Sequence, residues 1–488
     1  MKKMITMSLI AAATTFAFGS TASDIADLQK QIDQLKAKTG KINAQSANDN
    51  IKWGVDFRTA IDSINYDMAN GGTAKNDSLL SMRLWLNMAY APDSHNIFKG
   101  QLSMHKAFGA DFGDMTTNRA FGMGTMFDWT GNEALGDNSL RVRQAYWLYL
   151  GDNAFSADIP WTFSIGRRPS TNGFLASLSQ DDAAQSPLGH VINVEFDGLS
   201  SKLDLSNITG VPGMSFKICM GRGSTNATPL FKDATPYAEN DGITDIDLAG
   251  FIFEPYNDGQ YIVKTTYYKA FGLVDMNLDG TGQPTGSMEQ IGDIEAAAIS
   301  VLVDGLTEDG YFADAKLFGS FAWTKTSPDG NGVSTPDGTG GTTTTVGMLG
   351  SDESETGTSY WFGAYLPVGE GSEYGTLGLE YNHGSQFWRP FTYAEDTMIG
   401  SKIAVRGDAW EVNYTYQIND ALSLQARYVS IDYEYTGSQG FFGNTSGNSM
   451  KIDDIKAAAA GGDSGAQAML GSIVEKSQDA RFYLRYRF

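Results

Sequence analysis

Along most of the chain, apolar residues recur at every second position, the period of an extended strand whose side chains alternate between two faces. Ile51, Trp53, Val55, Phe57 and Thr59 alternate with Lys52, Gly54, Asp56 and Arg58. Leu80, Met82, Leu84, Leu86, Met88 and Tyr90 alternate with Ser81, Arg83, Trp85, Asn87 and Ala89. After these two strands, the pattern predicts others at 98–108, 140–150, 160–167, 190–206, 214–221, 244–256 and 260–271. It continues at 293–303, 311–325, 359–366, 375–382, 402–418, 422–435 and 479–488, which makes sixteen in all. In the last of them Phe482, Leu484, Tyr486 and Phe488 fall on one face, and Tyr483, Arg485 and Arg487 on the other.

The links between these strands alternate in length. Those at 91–97, 151–159, 207–213, 257–259, 304–310, 367–374 and 419–421 are short. Those at 66–78, 109–139, 168–189, 222–243, 272–292, 326–358, 383–401 and 436–478 are longer. In an antiparallel sheet this rhythm puts every tight turn at one end and every extended loop at the other. Transmembrane barrels have that anatomy, whereas a soluble sandwich has no need of it. The expectation is an all-β, 16-stranded antiparallel transmembrane barrel over 51–488. Its apolar outer face would meet lipid and its polar inner face would enclose a water-filled lumen. Trp53, Tyr90, Phe108, Trp161, Trp323 and Trp410 fall on the apolar side, as an interfacial girdle requires.

Upstream of residue 51 the pattern changes. Lys2 and Lys3 precede an apolar run from Met4 to Phe18 and the small residues Ser20, Thr21 and Ala22, so 1–22 reads as an export signal. Over 23–50, Ile25, Leu28, Ile32 and Leu35 follow helical 3-4 spacing, which predicts a short coiled-coil helix and a polar linker. Near the other end, the alanines of 451–471 suit a short external helix.

Composition narrows the function classes. The formal net charge is −22, which argues against a nucleic-acid partner because phosphate binding needs clustered cations. One cysteine, Cys219, excludes an internal disulfide framework, and His95, His105, His190 and His383 lack metal-ligand spacing. Asp275, Asn277 and Asp279 match the first half of a calcium loop, but Gly286 stands at the twelfth position and Pro284 intrudes. No Gly-x-Ser-x-Gly elbow, His-Glu-x-x-His or complete phosphate loop is present, so no enzyme activity and no cofactor are expected.

The closing strand, with Phe482, Leu484, Tyr486 and Phe488, resembles the assembly signal of Gram-negative outer-membrane barrels. Leu140-Arg-Val-Arg-Gln-Ala-Tyr146 and Phe163-Ser-Ile-Gly-Arg-Arg-Pro169 are similar to two wall strands of the trimeric porin superfamily. The helix before the barrel resembles that of phosphate-selective porins, and 400–418 resembles an uncharacterised porin-like family. The resemblance implies a homotrimer in outer-membrane lipid that passes small hydrophilic solutes or ions. It also implies a third external loop folded into the lumen.

On that reading Asp181 and Asp182 of the loop face a basic wall. Strand parity places Arg58, Arg83, Lys99, Arg141 and Arg143 there, against only Asp56, with Arg167 and Arg168 at the rim. Trp85, Trp147, Tyr149 and Trp361 also face inward by parity and are candidates for stacking a solute. The basic wall favours anions, while Asp329, Asp337, Asp352, Glu353 and Glu355 in external loops attract cations to the mouth. Two other readings stay open: a solute-specific channel with a weak lumenal site, and a surface adhesin or barrel enzyme acting through its long loops.

Overall fold

The computed structural model describes residues 51–110, 135–228, 230, 234–239, 244–278, 284–330, 333–336, 342–345, 349–392, 397–437 and 449–488. The expected signal and the coil residues Ile25, Leu28, Ile32 and Leu35 lie outside them. The first strands are β1 (Lys52–Met68), β2 (Thr73–Tyr90), β3 (Asn96–Ala107), β4 (Arg141–Gly151) and β5 (Trp161–Arg168). Two short pieces, β6 (Gly173–Phe174) and β7 (Gln185–Leu188), pair in parallel with each other. Next come β8 (Phe196–Asp204), β9 (Ser215–Ser224), β10 (Ile246–Asn257), β11 (Tyr261–Leu278), β12 (Pro284–Asp304) and β13 (Lys316–Pro328). A small hairpin, β14 (Val333–Pro336) and β15 (Thr342–Thr345), stands apart from the main sheet. The chain ends with β16 (Thr356–Pro367), β17 (Thr376–Gly384), β18 (Gly407–Asn419), β19 (Leu422–Tyr433) and β20 (Val474–Arg487).

Sixteen of these strands form one closed antiparallel barrel in chain order, with β6, β7, β14 and β15 outside it. β20 closes the cylinder on β1 from Asp56↔Arg487 to Met68↔Val474, and Val55 and Phe488 exchange backbone hydrogen bonds at 3.0 Å. Closure pairs the backbone of both edges, so no open edge remains to be solvated. Every barrel strand overlaps one expected from the alternation, and the fold class is the expected one.

The differences lie at the strand ends. The links expected at 66–78 and 272–292 are mostly strand: β1 and β2 stay paired to Asp67↔Thr73, and β11 and β12 to Leu278↔Pro284. There the strict alternation fails, since Leu273 and Val274 are buried side by side and Tyr66 packs against the cluster of Ile64 and Ala69, while the pairing itself continues. Asp275 and Asn277 are therefore in the extended backbone of β11, opposite β12. A calcium loop needs a tight turn at that point, so the half-match carries no such site; Asp279 lies outside the described residues. The strands expected to start at 190 and 402 start at 196 and 407, because the residues before them belong to the interior. Helices at Ile452–Ala460 and Ser464–Met469 occupy the alanine-rich stretch, the first burying Ile452, Ile455 and Ala459.

The outward face is apolar and exposed. Ile61, Leu80, Val142, Ile218, Ile299, Phe321, Phe362, Val412 and Phe482 each keep more than a third of their surface accessible. A water-facing monomer rarely shows so continuous an apolar surface. Among the described residues no helix is long and apolar enough to cross a membrane, a statement that does not bear on strands.

Candidate functional site

The interior is the site, and residues 169–195 dominate it. Gly166, at φ +125, turns the end of β5, where a Cβ would meet the Ala145 carbonyl; from there the chain enters the barrel. Phe174, Leu175, Leu188, Val191 and Val194 of this segment are buried, each 3% exposed or less. They pack against Leu248, Tyr268, Ala270, Ala296, Phe318 and Ala322 on the inner faces of β10 to β13. These strands are therefore apolar on both faces. The expectation of an open polar lumen is corrected here, since one side of the interior is a dry core. Period-2 reading assigns apolar residues to lipid, and it cannot see that an inserted segment gives an inward apolar face a partner.

The opposite side is polar and paired. Asp182 Oδ1 accepts from Arg485 Nη2 at 2.6 Å, and Asp181 Oδ2 from Arg487 Nη2 at 2.7 Å. Gln180 accepts from Arg58 Nη1 at 3.3 Å, and its carbonyl from Arg485 Nη1 at 2.6 Å. Asp56 takes the remaining face of Arg485 and lies 3.5 Å from Arg83. Arg83 and Arg143 both stack on Trp85, at 3.4 and 4.3 Å from its ring centre.

At the root of the segment Glu195 is 1% exposed, between Arg143 Nε at 3.0 Å and Arg167 Nη2 at 3.1 Å. Arg143 also donates to Gln101 Oε1 at 2.7 Å and Thr171 Oγ1 at 2.5 Å. The structure thus brings Asp181 and Asp182 to arginines, but to Arg485 and Arg487 of β20. Arg58 and Arg143 grip other parts of the segment. Arg141 faces inward opposite Ser103, whereas Lys99 is exposed near the short-turn end of β3. Asp56 is not the only early carboxylate inside, since Asp62 is fully buried against Arg481 at 2.5 Å.

Two of the four aromatic positions are corrected. Pairing of β3 with β4 slips at a bulge, where Gln101 faces Gln144 but Leu102 faces Val142. One extra residue reverses the parity of the rest of the strand. Trp147 now pairs with Phe98 and Ile165, and all three are exposed on the outer face. Tyr149, two residues on, shares that face and packs near Trp161. Neither can stack a solute inside. Trp85 and Trp361 are buried inside, at 7% and 1% exposure.

Two interior clusters and one group on the outer face escaped the sequence reading. Lys402, on the link between β17 and β18, bridges Glu380 at 2.6 Å and Glu411, which Arg427 also meets at 2.9 Å. Burial opposes the charge on Lys402, but Glu380 and Glu411 outweigh it and raise its pKa above the ordinary value. Arg168, Lys202, Lys217 and Lys264 form a cationic group on β5, β8, β9 and β11. His383, Asp408 and Glu434 present ligand atoms within 4.8 Å of one another, although Asp408 already accepts from His383 and Tyr381.

His190 anchors the middle of the segment. It is fully buried, hydrogen-bonded to Ser320 Oγ at 2.7 Å and Ser359 Oγ at 2.9 Å, with the Trp361 and Trp388 rings at its sides. Burial pushes its pKa down to about 3. Unfolded histidine binds a proton near pH 6.5, so below that pH the unfolded state holds a proton the folded state lacks. Stability should therefore fall by about 1.4 kcal/mol per pH unit as pH drops from about 6.5, and level off below about 3. Thermal unfolding followed from neutral pH to about pH 4 should show this slope in the wild type and lose it in His190→Gln. Equal slopes in the two proteins would refute the assignment.

Residues 73–488 match the model of a family described as protein of unknown function (DUF3373). No curated protein matches the sequence. Among solved structures the chain is similar to an anion-selective porin from Comamonas acidovorans, at 11% identity and TM-score 0.46, covering 90% of this chain and 99% of that one. It is also similar to OprB of Pseudomonas putida, at 11% identity and TM-score 0.45, over 90% and 94% of the two chains. OmpF of Salmonella typhi, in complex with daunomycin, gives 13% identity and TM-score 0.43 over 89% and 97%.

Proposed function

The chain belongs to the DUF3373 family, and from its closed barrel with an inserted segment we propose that it is an outer-membrane channel for small hydrophilic solutes or ions. One observation carries this reading. A sixteen-stranded cylinder with an exposed apolar outer face also holds, inside, a wall of arginines, lysines and carboxylates. Lipid outside and a polar route inside account for both faces, whereas a soluble barrel would place them the other way round. Residues 169–195 form the barrier along that route, and solute passes where the segment meets the polar wall of β1, β4 and β20.

The channel works as a homotrimer in outer-membrane lipid, without enzymatic activity of its own. The close packing of the segment on all sides favours a passage that is narrow at rest, which is the solute-specific alternative. The outward aromatics at Trp53, Phe108 and Trp410 suit the two edges of the lipid belt.

Purified protein reconstituted into planar bilayers tests this directly. The expected result is discrete conductance steps grouped in threes, with Arg485→Ala shifting ion selectivity because it removes a cation that faces Asp182. A folded, inserted protein that conducts nothing under any voltage would overturn the proposal and favour a surface role for the long loops.

A further inference from the structure

On the inner wall of β8, β9 and β11, cations outnumber the carboxylates available to them. Lys202 and Lys217 stand directly opposite each other across β8 and β9, on the inward face marked by Ser164 and Ser200. Like charges so placed repel. Lys217 is only 8% exposed, and its Nζ donates to Ser186 Oγ at 2.8 Å. Arg168 reaches the same place from β5, and its Nε is buried without a hydrogen-bond acceptor. Lys264 completes the group over the Phe174 ring at 4.6 Å.

The nearby carboxylates serve the outer members of the group, Lys264 and Lys202. Glu254 lies 3.6 Å from Lys264 and accepts from Asn257 Nδ2 at 2.6 Å. Asp204 accepts from both the backbone N–H and the hydroxyl of Ser206. A cation taken out of water without a matching anion is costly, and Lys217 and Arg168, which have no ion pair among the described residues, call for an anion between them.

There is room for one. A cavity of about 70 Å³ is lined by Arg168, Ser170, Ser186, Lys217, Cys219 and Thr266, among others. A single water needs roughly 10–15 Å³ on this measure. Because Ser186 Oγ accepts from Lys217, its own proton is left for a ligand oxygen. Cys219 and Gly250 keep the floor small where they pair across β9 and β10. Arg168 and Lys217 on one cavity, with Lys202 paired opposite Lys217, suit a doubly charged ligand better than chloride or a lone carboxylate.

We propose that Lys217 and Arg168, with Ser186 and with Lys202 as a neighbouring charge outside the cavity lining, form a binding site for a tetrahedral oxyanion: inorganic phosphate or sulfate, or the phosphate group of a larger solute. This names a solute class for the channel described above, but the site itself rests on the cavity and its cations, not on conduction.

Titration calorimetry on the full chain in detergent, with phosphate, sulfate, chloride and a sugar phosphate, tests it. Phosphate and sulfate should bind, and chloride at least tenfold more weakly, about one decade in Kd. Lys217→Met should weaken phosphate binding about tenfold or more, while Lys217→Arg should keep it within about threefold. Sugar phosphate binding as tightly as inorganic phosphate would assign the site to a headgroup of a larger solute. Binding of inorganic phosphate alone would assign it to the free ion. If Lys217→Met fails to fold, Arg168→Gln serves, with the same expected loss. Phosphate heats unchanged in these variants, or absent from a wild-type protein that unfolds cooperatively, would overturn the proposal. The titration needs no bilayer, so a protein that binds but does not conduct refutes the channel alone, and one that conducts but does not bind refutes only the site.

Discussion

A variant with residues 170–194 replaced by a short Gly-Ser link should conduct several-fold more current per channel and admit sugars that the parent excludes. The segment buries its apolar side chains against β10 to β13 and its polar ones against β1, β4, β19 and β20, so it touches walls on every side. Sixteen strands without such an insert enclose an aqueous channel. Conductance follows the narrowest cross-section, and under the proposed function the side chains of the insert set it rather than the cylinder. The exposed inner faces of Leu248, Tyr268 and Phe318 will line water in the variant, so it should unfold more readily than the parent. Bilayer recordings and liposome swelling with sugars of increasing size check the expectation, once gel mobility with and without heating has shown a closed barrel. A barrel that is intact yet conducts as the parent does would show that the passage lies elsewhere.

Glu195→Ala is expected to destabilise the protein by about 3–5 kcal/mol, as for one partner removed from a buried ion pair. Glu195 is fully desolvated between two guanidiniums, and Arg143 and Arg167 are themselves 4% and 9% exposed. Its removal leaves two buried positive groups facing a cavity the size of the lost carboxyl. Glu195→Gln keeps the shape and one acceptor, so its cost should be smaller. Denaturant unfolding in detergent, compared at equal m-value, measures both. A loss below about 1 kcal/mol for the alanine variant would place the pair in the class of solvated ion pairs, against the geometry.

How far the sequence could be read depended on what lay on the two faces of each segment. Where the outer face was apolar and the inner one polar, period 2 was legible, and strands such as β18 and β20 were located by it. Where buried apolar residues stood side by side, as at Leu273 and Val274, the alternation broke and pairing continued unseen. Where both faces were apolar, as at Leu248 and Ala270, alternation could not show which one turned inward. Trp147 and Tyr149 were misplaced by a bulge at Gln101, which leaves no mark in composition. The wall arginines were legible as types but not as pairs. Asp181 and Asp182 were expected opposite β1 to β4, yet Arg485 and Arg487 hold them, and only closure of β20 on β1 brings those side chains near. Glu195 and Lys217 gave no local signal, since their partners are set by the path of residues 169–195.

The ion pairs from β20 to the tip of that segment tie two events together. Arg485 and Arg487 can reach Asp182 and Asp181 only when the cylinder is shut, and β20 is the strand that shuts it. Docking of the insert and closure of the seam therefore favour each other, because each supplies half of the same ion pairs. A chain whose seam is open lacks the contacts from Arg485 and Arg487 to residues 180–182, so its insert is held less firmly.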